Sequence, residues 1–435
     1  MTAFSVRSFL RKEDGLITAL NLFLLLAVLM LFGLAVDYGN VVQARTKMQV
    51  TADSVAHAAL YTRELNSESQ AVSKALELAE GNMPAATYGT VVTSDDIQFG
   101  TWDAASQTFT FSSGSRQAVL VNTRRLNERT NGVSTFLLGL VGLNAWNVVT
   151  PSVFETYYPA CFREGLVGDV LVEVQGNNEY EPGFCIHSNG YVSLNSNNVF
   201  YPRSVVSMPD QRDISLPSSG FESNPGLTEA LRDASYQLRI LNRITDIIAG
   251  VQNMSSPYMP DYITSDIPIK LNGNTIRQED LIEGRVHVRS CNGNGQINIE
   301  SKLLLSKVVL IINCKVKFQS GAVLEDSILI STSSDSRAFN SAAGFQVGRN
   351  DHCAEGGGAQ LVTLGGMDFP ANLQVFGGQL LALGDIEFTA NANGIEGAAM
   401  VAGGTVSGTS NMRMGFCGGA GMEDNFEAAY FRLAG

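Results

Sequence analysis

The chain has 435 residues, with 29 Lys plus Arg against 42 Asp plus Glu, a formal charge of −13. That length implies about two to four domains, and the acidic balance argues against a nucleic-acid or acidic-lipid binding face, which needs an excess of positive charge. With 45% hydrophobic residues, only 16% charged residues and 43 glycines, a solvated disordered chain is excluded and tightly stacked β structure is favoured. Six cysteines and four histidines are too few for a Cys- or His-dense metal protein.

Residues 16–36 read LITALNLFLLLAVLMLFGLAV, 21 residues without a charge. A helix of that length matches a bilayer core of about 30 Å. Arg7, Arg11 and Lys12 precede it and Asp37 follows it, so positive charge sets an N-in, C-out orientation. A cleaved signal peptide is the alternative, but its apolar region is normally shorter and ends at a small-x-small site. Here VDYGNVVQARTKMQ continues the helical pattern. Residues 1–15 are accordingly expected as a short cytoplasmic tail, and 16–36 as a membrane anchor.

Cys161, Cys185, Cys291, Cys314, Cys353 and Cys417 all follow the anchor. An even number in an oxidising compartment reads as disulfides, although sequence selects no connectivity and buried free thiols are the alternative. No CxxC spacing occurs, which leaves a redox or zinc role without support.

Residues 37–80 are rich in Ala, Glu, Gln, Leu and Lys and lack proline until Pro84. They predict one long helix to about residue 80. Ala52, Ala56 and Ala59 share a face, for packing onto the helix's own domain or, less favoured, for a helix–helix assembly. Residues 87–155 change character. VVTSDDIQFGTW, TFTFSSG and QAVLVNTRR read as strands, NGVSTFLLGLVGL as a short apolar helix and NVVTPSVFE as a further strand. Together these form an α+β layer.

EDG (13–15), the apolar span, VDYG (36–39) and KMQVTADSVAHAAL (47–60) resemble the N-terminal region of the TadG-like proteins of Tad (Flp) pilus systems. The family features fall on Gly15, Asp37, Gln49, Ala52, Asp53, Ala58 and Ala59, with Ser54 and His57 where alanines are usual. IQFGTWD (97–103), which carries Trp102 and Asp103, and QAVLVNTRR (117–125) are also similar to that family. The resemblance covers roughly residues 10–155 and implies a membrane-anchored component of a pilus assembly apparatus. The processed subunits of such machinery carry a glutamate five residues past the glycine; here that residue is Leu20, which argues against cleavage and polymerisation. The metal-ion adhesion site of some relatives, Asp-x-Ser-x-Ser, is missing: SSDS (333–336) lacks the first aspartate.

Residues 156–435 hold brief apolar runs separated by turn residues at a loose spacing near ~20 residues, the pattern of a parallel β-helix. A β-sandwich has the same composition and is the alternative. TEALRDASYQLRILNRITDIIAGV (228–251) reads as an amphipathic helix inserted as lateral cover. Glu325 with Asp326, and Asp385 with Glu387, are the carboxylate pairs that glycoside hydrolysis would need, though exposed strand or turn positions are the blander account. Asp351-His352-Cys353 has nucleophilic residue types, but consecutive residues cannot easily face one another. No P-loop, dinucleotide fingerprint, nucleophile elbow or HExxH occurs.

The fold expected is therefore mixed: a transmembrane helix over 16–36, a stalk helix and α+β pilin-like domain over 37–155, and a β-solenoid over 156–435 with a helical insertion near 228–251. The function expected is a structural Tad-pilus component in the bacterial inner membrane, single-pass, with its bulk periplasmic. A minor pilin or tip adhesin and a periplasmic polysaccharide-acting enzyme are the alternatives. No catalytic, metal or cofactor residue is assigned. The partners expected are membrane lipid, other Tad apparatus or pilus proteins and, as a further option, copies of the same chain; nucleic acid is not among them.

Overall fold

The computed structural model describes residues 14–291 and 295–435. Two compact units emerge. The first comprises residues up to Tyr157 together with Ala429–Gly435, and the second Tyr158–Ala428.

Helix α1, Asp14–Arg63, is 50 residues long. Its first part is the uncharged apolar run, whose side chains are exposed in the isolated chain, Phe23 at 71% and Leu31 at 69%. An all-round apolar helix needs an apolar surrounding. Its second part is a core element: Met48, Val55, Ala56, Ala59 and Leu60 are buried. The single helix expected to about residue 80 is instead broken after Arg63. Ser67 starts helix α2, Glu68–Asn82, with a capping box in which its hydroxyl accepts from the Gln70 amide and the Gln70 side chain accepts from the Ser67 amide. Arg63 donates to the Asn66 carbonyl across the break. Such a cap satisfies orphan amides that a continuous helix would not expose. Ala71, Ala75 and Ala79 of α2 then join the same core.

Strands β1 (Ile97–Asp103), β2 (Thr108–Phe111) and β3 (Ala118–Arg125) form an antiparallel sheet with β6 (Val148–Tyr157) in the order β2-β1-β3-β6. Between β3 and β6, two short strands pair as β4 (Val133–Ser134) and β5 (Ala145–Trp146). The short apolar helix expected there is the tip of this hairpin, with one 3-10 turn at Leu138–Val141. Two glycines, Gly139 and Gly142, interrupt the apolar run and weaken a longer helix. The sheet's fifth strand is Tyr430–Leu433, antiparallel to β6. Tyr430–Leu433 therefore leaves the solenoid assigned to it by sequence, because its alternating Tyr-Phe-Arg-Leu satisfies the free edge of β6.

The second unit is a parallel β-solenoid of about 12 turns over residues 165–415. Three ladders run along it. The first turn is Gly165–Gly168, Leu171–Val174 and Glu179–Tyr180, and the second is Cys185–Ser188, Tyr191–Leu194 and Val199–Phe200. Leu166 lies beside Ile186, Val172 beside Val192 and Tyr180 beside Phe200, all in parallel register. Parallel ladders throughout set aside the sandwich alternative. Inward residues form one continuous core, in which Phe345 stacks on Phe318 with centroids 3.9 Å apart and meets Phe369 at 5.5 Å.

The order of turns along the axis is not chain order. After the first turn the chain climbs through Cys185–Ser188 and Val205–Met208 to Leu231–Asp233. On the opposite side of Gly165–Gly168 lies the end of a late strand, with Ala399 beside Gly165 and Met400 beside Leu166. From there the stack descends backwards through residues 378–382, 359–363, 327–331, 308–312 and 285–289 to Ser265–Lys270. The chain thus starts in the middle, crosses to the far end and winds back to meet its own first turn. Ten spacings of about 4.8 Å put the two ends roughly 48 Å apart.

The crossing segment replaces the helix expected over 228–251. That stretch is a short helix Leu227–Ala230, a strand Leu231–Asp233, and two more short helices, Arg239–Asn242 and Ile244–Gly250. Pairing of Leu231–Asp233 with Val206–Met208 overrides helix propensity, since tertiary pairing routinely does. Leu238, Leu241, Ile244 and Ile247 nevertheless cover an apolar face made by Val167, Val286, Val309, Val362 and Val401.

One corner of the solenoid carries an asparagine ladder. The Asn198 side-chain carbonyl accepts from the Asn178 amide (3.2 Å), that of Asn224 accepts from the Asn198 amide (3.0 Å), and that of Asn178 accepts from the Met412 amide (2.9 Å). All three side chains are buried, so each truncation strands polar groups away from water. Asn198→Ala is expected to lower the unfolding free energy by about 1–3 kcal/mol, read as a lower denaturant midpoint; an unchanged midpoint would show that the ladder is not a stabilising element.

Candidate functional site

Asp37 closes the apolar stretch of α1 and is buried although α1 is exposed on either side of it. Its carboxylate accepts from the backbone amides of Phe136 (2.6 Å), Leu137 (3.0 Å) and Leu138 (2.7 Å) at the β4–β5 tip. Burial pushes the carboxyl up, but the three amides outweigh it and hold the group below the ordinary carboxylate range. One turn earlier stands Gly33, also buried. A Cβ there would lie 2.7 Å from Leu137 Cβ, so the missing side chain lets the tip lie directly on the helix. Asn40, three residues past Asp37, donates to the Ser134 carbonyl (3.0 Å). Gly33, Asp37 and Asn40 thus share the helix face that holds the tip.

The other expected positions are structural in placement and spread over the first unit. Gln49 donates to Asp53 (2.9 Å), one turn on, and to the Pro151 carbonyl of β6 (3.1 Å). Ala52, Ala56 and Ala59 are fully buried within their own unit. Trp102 and Asp103 end β1 far along the chain from Asp37. Gly435 packs on the Trp102 ring, and Asp103 closes the β1–β2 turn by accepting from Ser106 Oγ (2.8 Å) and the Ala105 amide (2.9 Å). Gly15 lies in the first turn of α1. Arg7, Arg11 and Lys12 lie outside the described residues.

The six cysteines form three disulfides: Cys161–Cys185, Cys291–Cys314 and Cys353–Cys417. Cys353 is therefore bridged, while Asp351 accepts from Arg349 (2.6 Å) and from the Ala354 amide (3.1 Å). Asp385 accepts from the Thr405 amide (2.7 Å) and Asp326 from the Gly357 amide (2.5 Å), both at corners. Asp335 of SSDS pairs with Lys315 at 3.4 Å. Among the described residues no cluster of three His, Cys, Asp or Glu could hold a metal ion.

Sequence reasoning missed Gly33, the Phe136–Leu138 tip and Glu164. Glu164, fully buried, accepts from the amides of Cys417 and Gly419, each at 2.6 Å. Burial pushes its carboxyl up more than those amides lower it. The available signal for Gly33 was its place one helical turn before Asp37 in an otherwise bulky run.

Two outcomes test this geometry. Asp37→Ala leaves three amides without their acceptor, and the amide protons of Phe136–Leu138 are expected to exchange faster with deuterium while those of α2 do not change. Because the folded carboxyl titrates below its unfolded value, its contribution is complete above about pH 4 and lost as pH falls through the folded value; the same three amide resonances should shift together in that acid range. Separately, alkylation of the denatured, unreduced protein is expected to add no label; labelling of six thiols would refute the bridges.

Residues 15–67 match the family described as "Putative Flp pilus-assembly TadE/G-like", and residues 165–418 match the family described as "Domain of unknown function (DUF7867)". No curated protein and no solved structure matches the chain. The Tad segment covers α1 from Gly15, through both its apolar and its buried half, to the Ser67 cap of α2, which indicates a membrane-anchored Tad pilus component that carries a β-solenoid. By the extent of the second match, the chain belongs to the DUF7867 family, with a TadE/G-like segment at its N-terminal side.

Proposed function

We propose that this protein is a fixed structural component of a Tad pilus apparatus, held in the bacterial inner membrane by residues 16–36 and presenting its solenoid on the extracytoplasmic side. The observation that carries the reading is the Tad match over residues 15–67, laid on a helix that is apolar for its first half and a domain core for its second. Arg7, Arg11 and Lys12 before the span favour an N-in orientation. Three disulfides suit an oxidising compartment beyond the membrane. The role is one of presentation and contact, with other apparatus or pilus proteins as partners. The corner hydrogen bonds of Asp326 and Asp385 and the bridged Cys353 fit such a role better than chemistry on a polysaccharide.

Leu20, five residues past Gly15, favours retention in the membrane over processing into a fibre. An acidic side chain in that span would have a neighbouring subunit's free amine to pair with, and none is present between residues 16 and 36. The test joins intact mass with protease access. Protein extracted from the inner membrane is expected at full-length mass, and external protease on spheroplasts is expected to remove the solenoid. A mass beginning just after Gly15 in sheared filaments would make this a pilin-like subunit, and a protease-resistant solenoid in intact spheroplasts would reverse the orientation.

A further inference from the structure

The β4–β5 tip, residues 135–143, reads TFLLGLVGL and contains no charge. It is not a core segment: Phe136 is 67% exposed and Leu143 55%. A soluble loop of this composition is unusual, since exposed contiguous apolar surface marks an interaction site. Six amides at the two sides of the tip are nonetheless paired. Phe136, Leu137 and Leu138 donate to Asp37, Thr135 donates to Asn144, Gly142 to Gly139 and Leu143 to Leu138. The Thr135 hydroxyl donates to the Leu143 carbonyl (2.5 Å). These pairings lower the cost of placing irregular backbone at the bilayer interface, where unpaired amides are penalised as water thins out.

The position of the tip decides its occupant. Leu137 packs on Gly33, which belongs to the apolar span and lies one turn, about 6 Å, to the membrane side of Asp37. The tip's apolar surface is therefore continuous with that of the span. Tyr38 (64% exposed) follows Asp37 directly, and Trp146 (38% exposed) pairs with Val133 at the base of the hairpin; both are aromatic types enriched where bilayer meets water. Arg129, just before the hairpin, is ion-paired to Asp96 at 2.7 Å.

We propose that the tip is a second membrane contact, a wedge dipped into the outer-leaflet interface beside the anchor helix and held there by Asp37. The inference rests on residues 16–36 being an anchor. Asp37 then keeps three tip amides paired where water is scarce, and it holds the tip against the membrane end of α1. A second lipid contact beside the helix restrains its tilt and its rotation in the bilayer, which a single spanning helix does not.

The wild-type, full-length protein in phosphatidylcholine vesicles containing a lipid with a photoactivatable acyl chain tests this directly. After irradiation and digestion, label is expected on residues 16–36 and also on 135–143, with none on the β1–β2 turn. That turn is a distant control: it follows β1 beyond Gly100, whose carbonyl accepts from Ser115 beside Gly114, and Gly114 lies against Arg63, about 39 Å along α1 from Asp37. Asp37→Ala is expected to lose most of the label on the tip while keeping that on the span. Label on 16–36 alone would overturn the wedge and leave the anchor standing. Label on neither would overturn both. Tip label absent at every protein-to-lipid ratio, with residues 135–143 cross-linked between two copies instead, would mean that a second copy covers the tip and would overturn its assignment to lipid.

Discussion

The solenoid depends on one parallel junction, where the last-formed turn meets the first. Ala399–Ala402 pairs with Gly165–Gly168, Thr405–Gly408 with Leu171–Val174, and Met414 with Tyr180. Without it the first turn has an open edge on its lower side and the long arm has one on its upper side. Each bare edge would expose a row of unpaired amides and carbonyls and end an apolar core. The two arms are therefore not independent repeat arrays. Closing the junction brings together residues more than two hundred positions apart, so it carries a larger loop-closure entropy than the pairing of turns that follow each other in the chain. A small residue lies close across the junction: a Cβ on Gly168 would lie 3.2 Å from the Gly404 carbonyl oxygen. Buried Glu164 ties Cys417 and Gly419 beside the same place, and Asn178 receives the Met412 amide across it.

Disulfide placement follows the same logic. Cys161–Cys185 joins the segment before the first turn to the start of the second, across 24 residues. Cys353–Cys417, across 64 residues, ties the segment after the last turn back to a loop of the long arm. In the chain-entropy picture the longer loop gains more, by a logarithmic margin. The larger effect is geometric. Both bridges lie on segments that flank the junction, so they restrain the ends that must come together. Cys291–Cys314, across 23 residues, instead pins two neighbouring turns of the long arm.

Much of this was legible in the sequence because it is local. An uncharged 21-residue run is an all-round apolar helix whatever its surroundings, and brief apolar runs broken by Asn, Gly and Ser stack as solenoid turns. QGNNEY and NSNNVF, which place Asn178 and Asn198 twenty residues apart, already contain the corner ladder. What was not legible is which turn stacks on which. A turn's inward pattern is the same above or below any neighbour, so the reversal that brings residue 399 to residue 165 leaves no periodic trace. The segment 228–251 misled for a related reason. Its leucines and isoleucines at helical spacing do face a core, but that core is the outer face of other turns, and Leu231–Asp233 gains more from a strand partner than from a helix. Tyr430–Leu433 belonged to another unit's sheet, a pairing that no local pattern could assign.

The resemblance at the N-terminal side and the structure explain each other at Asp37. As a motif residue, an aspartate at the end of an apolar span says little, since a charge there only marks where the span stops. In the fold it is a capping group for a segment about a hundred residues away in sequence. Gly33 is meaningful only beside it. Gln49, Ala52 and Asp53 continue the same helix but serve the sheet, with Gln49 reaching the Pro151 carbonyl and Ala52 buried. Consecutive turns of one helix thus do two jobs, the lower ones holding a hairpin tip and the upper ones a domain core. The solenoid is inserted in the chain between β6 and Tyr430–Leu433, adjacent strands of that domain's sheet. Because the two ends of the insertion are neighbours, an insertion of any length fits between these strands without altering their pairing, which lets the first unit and the solenoid vary independently.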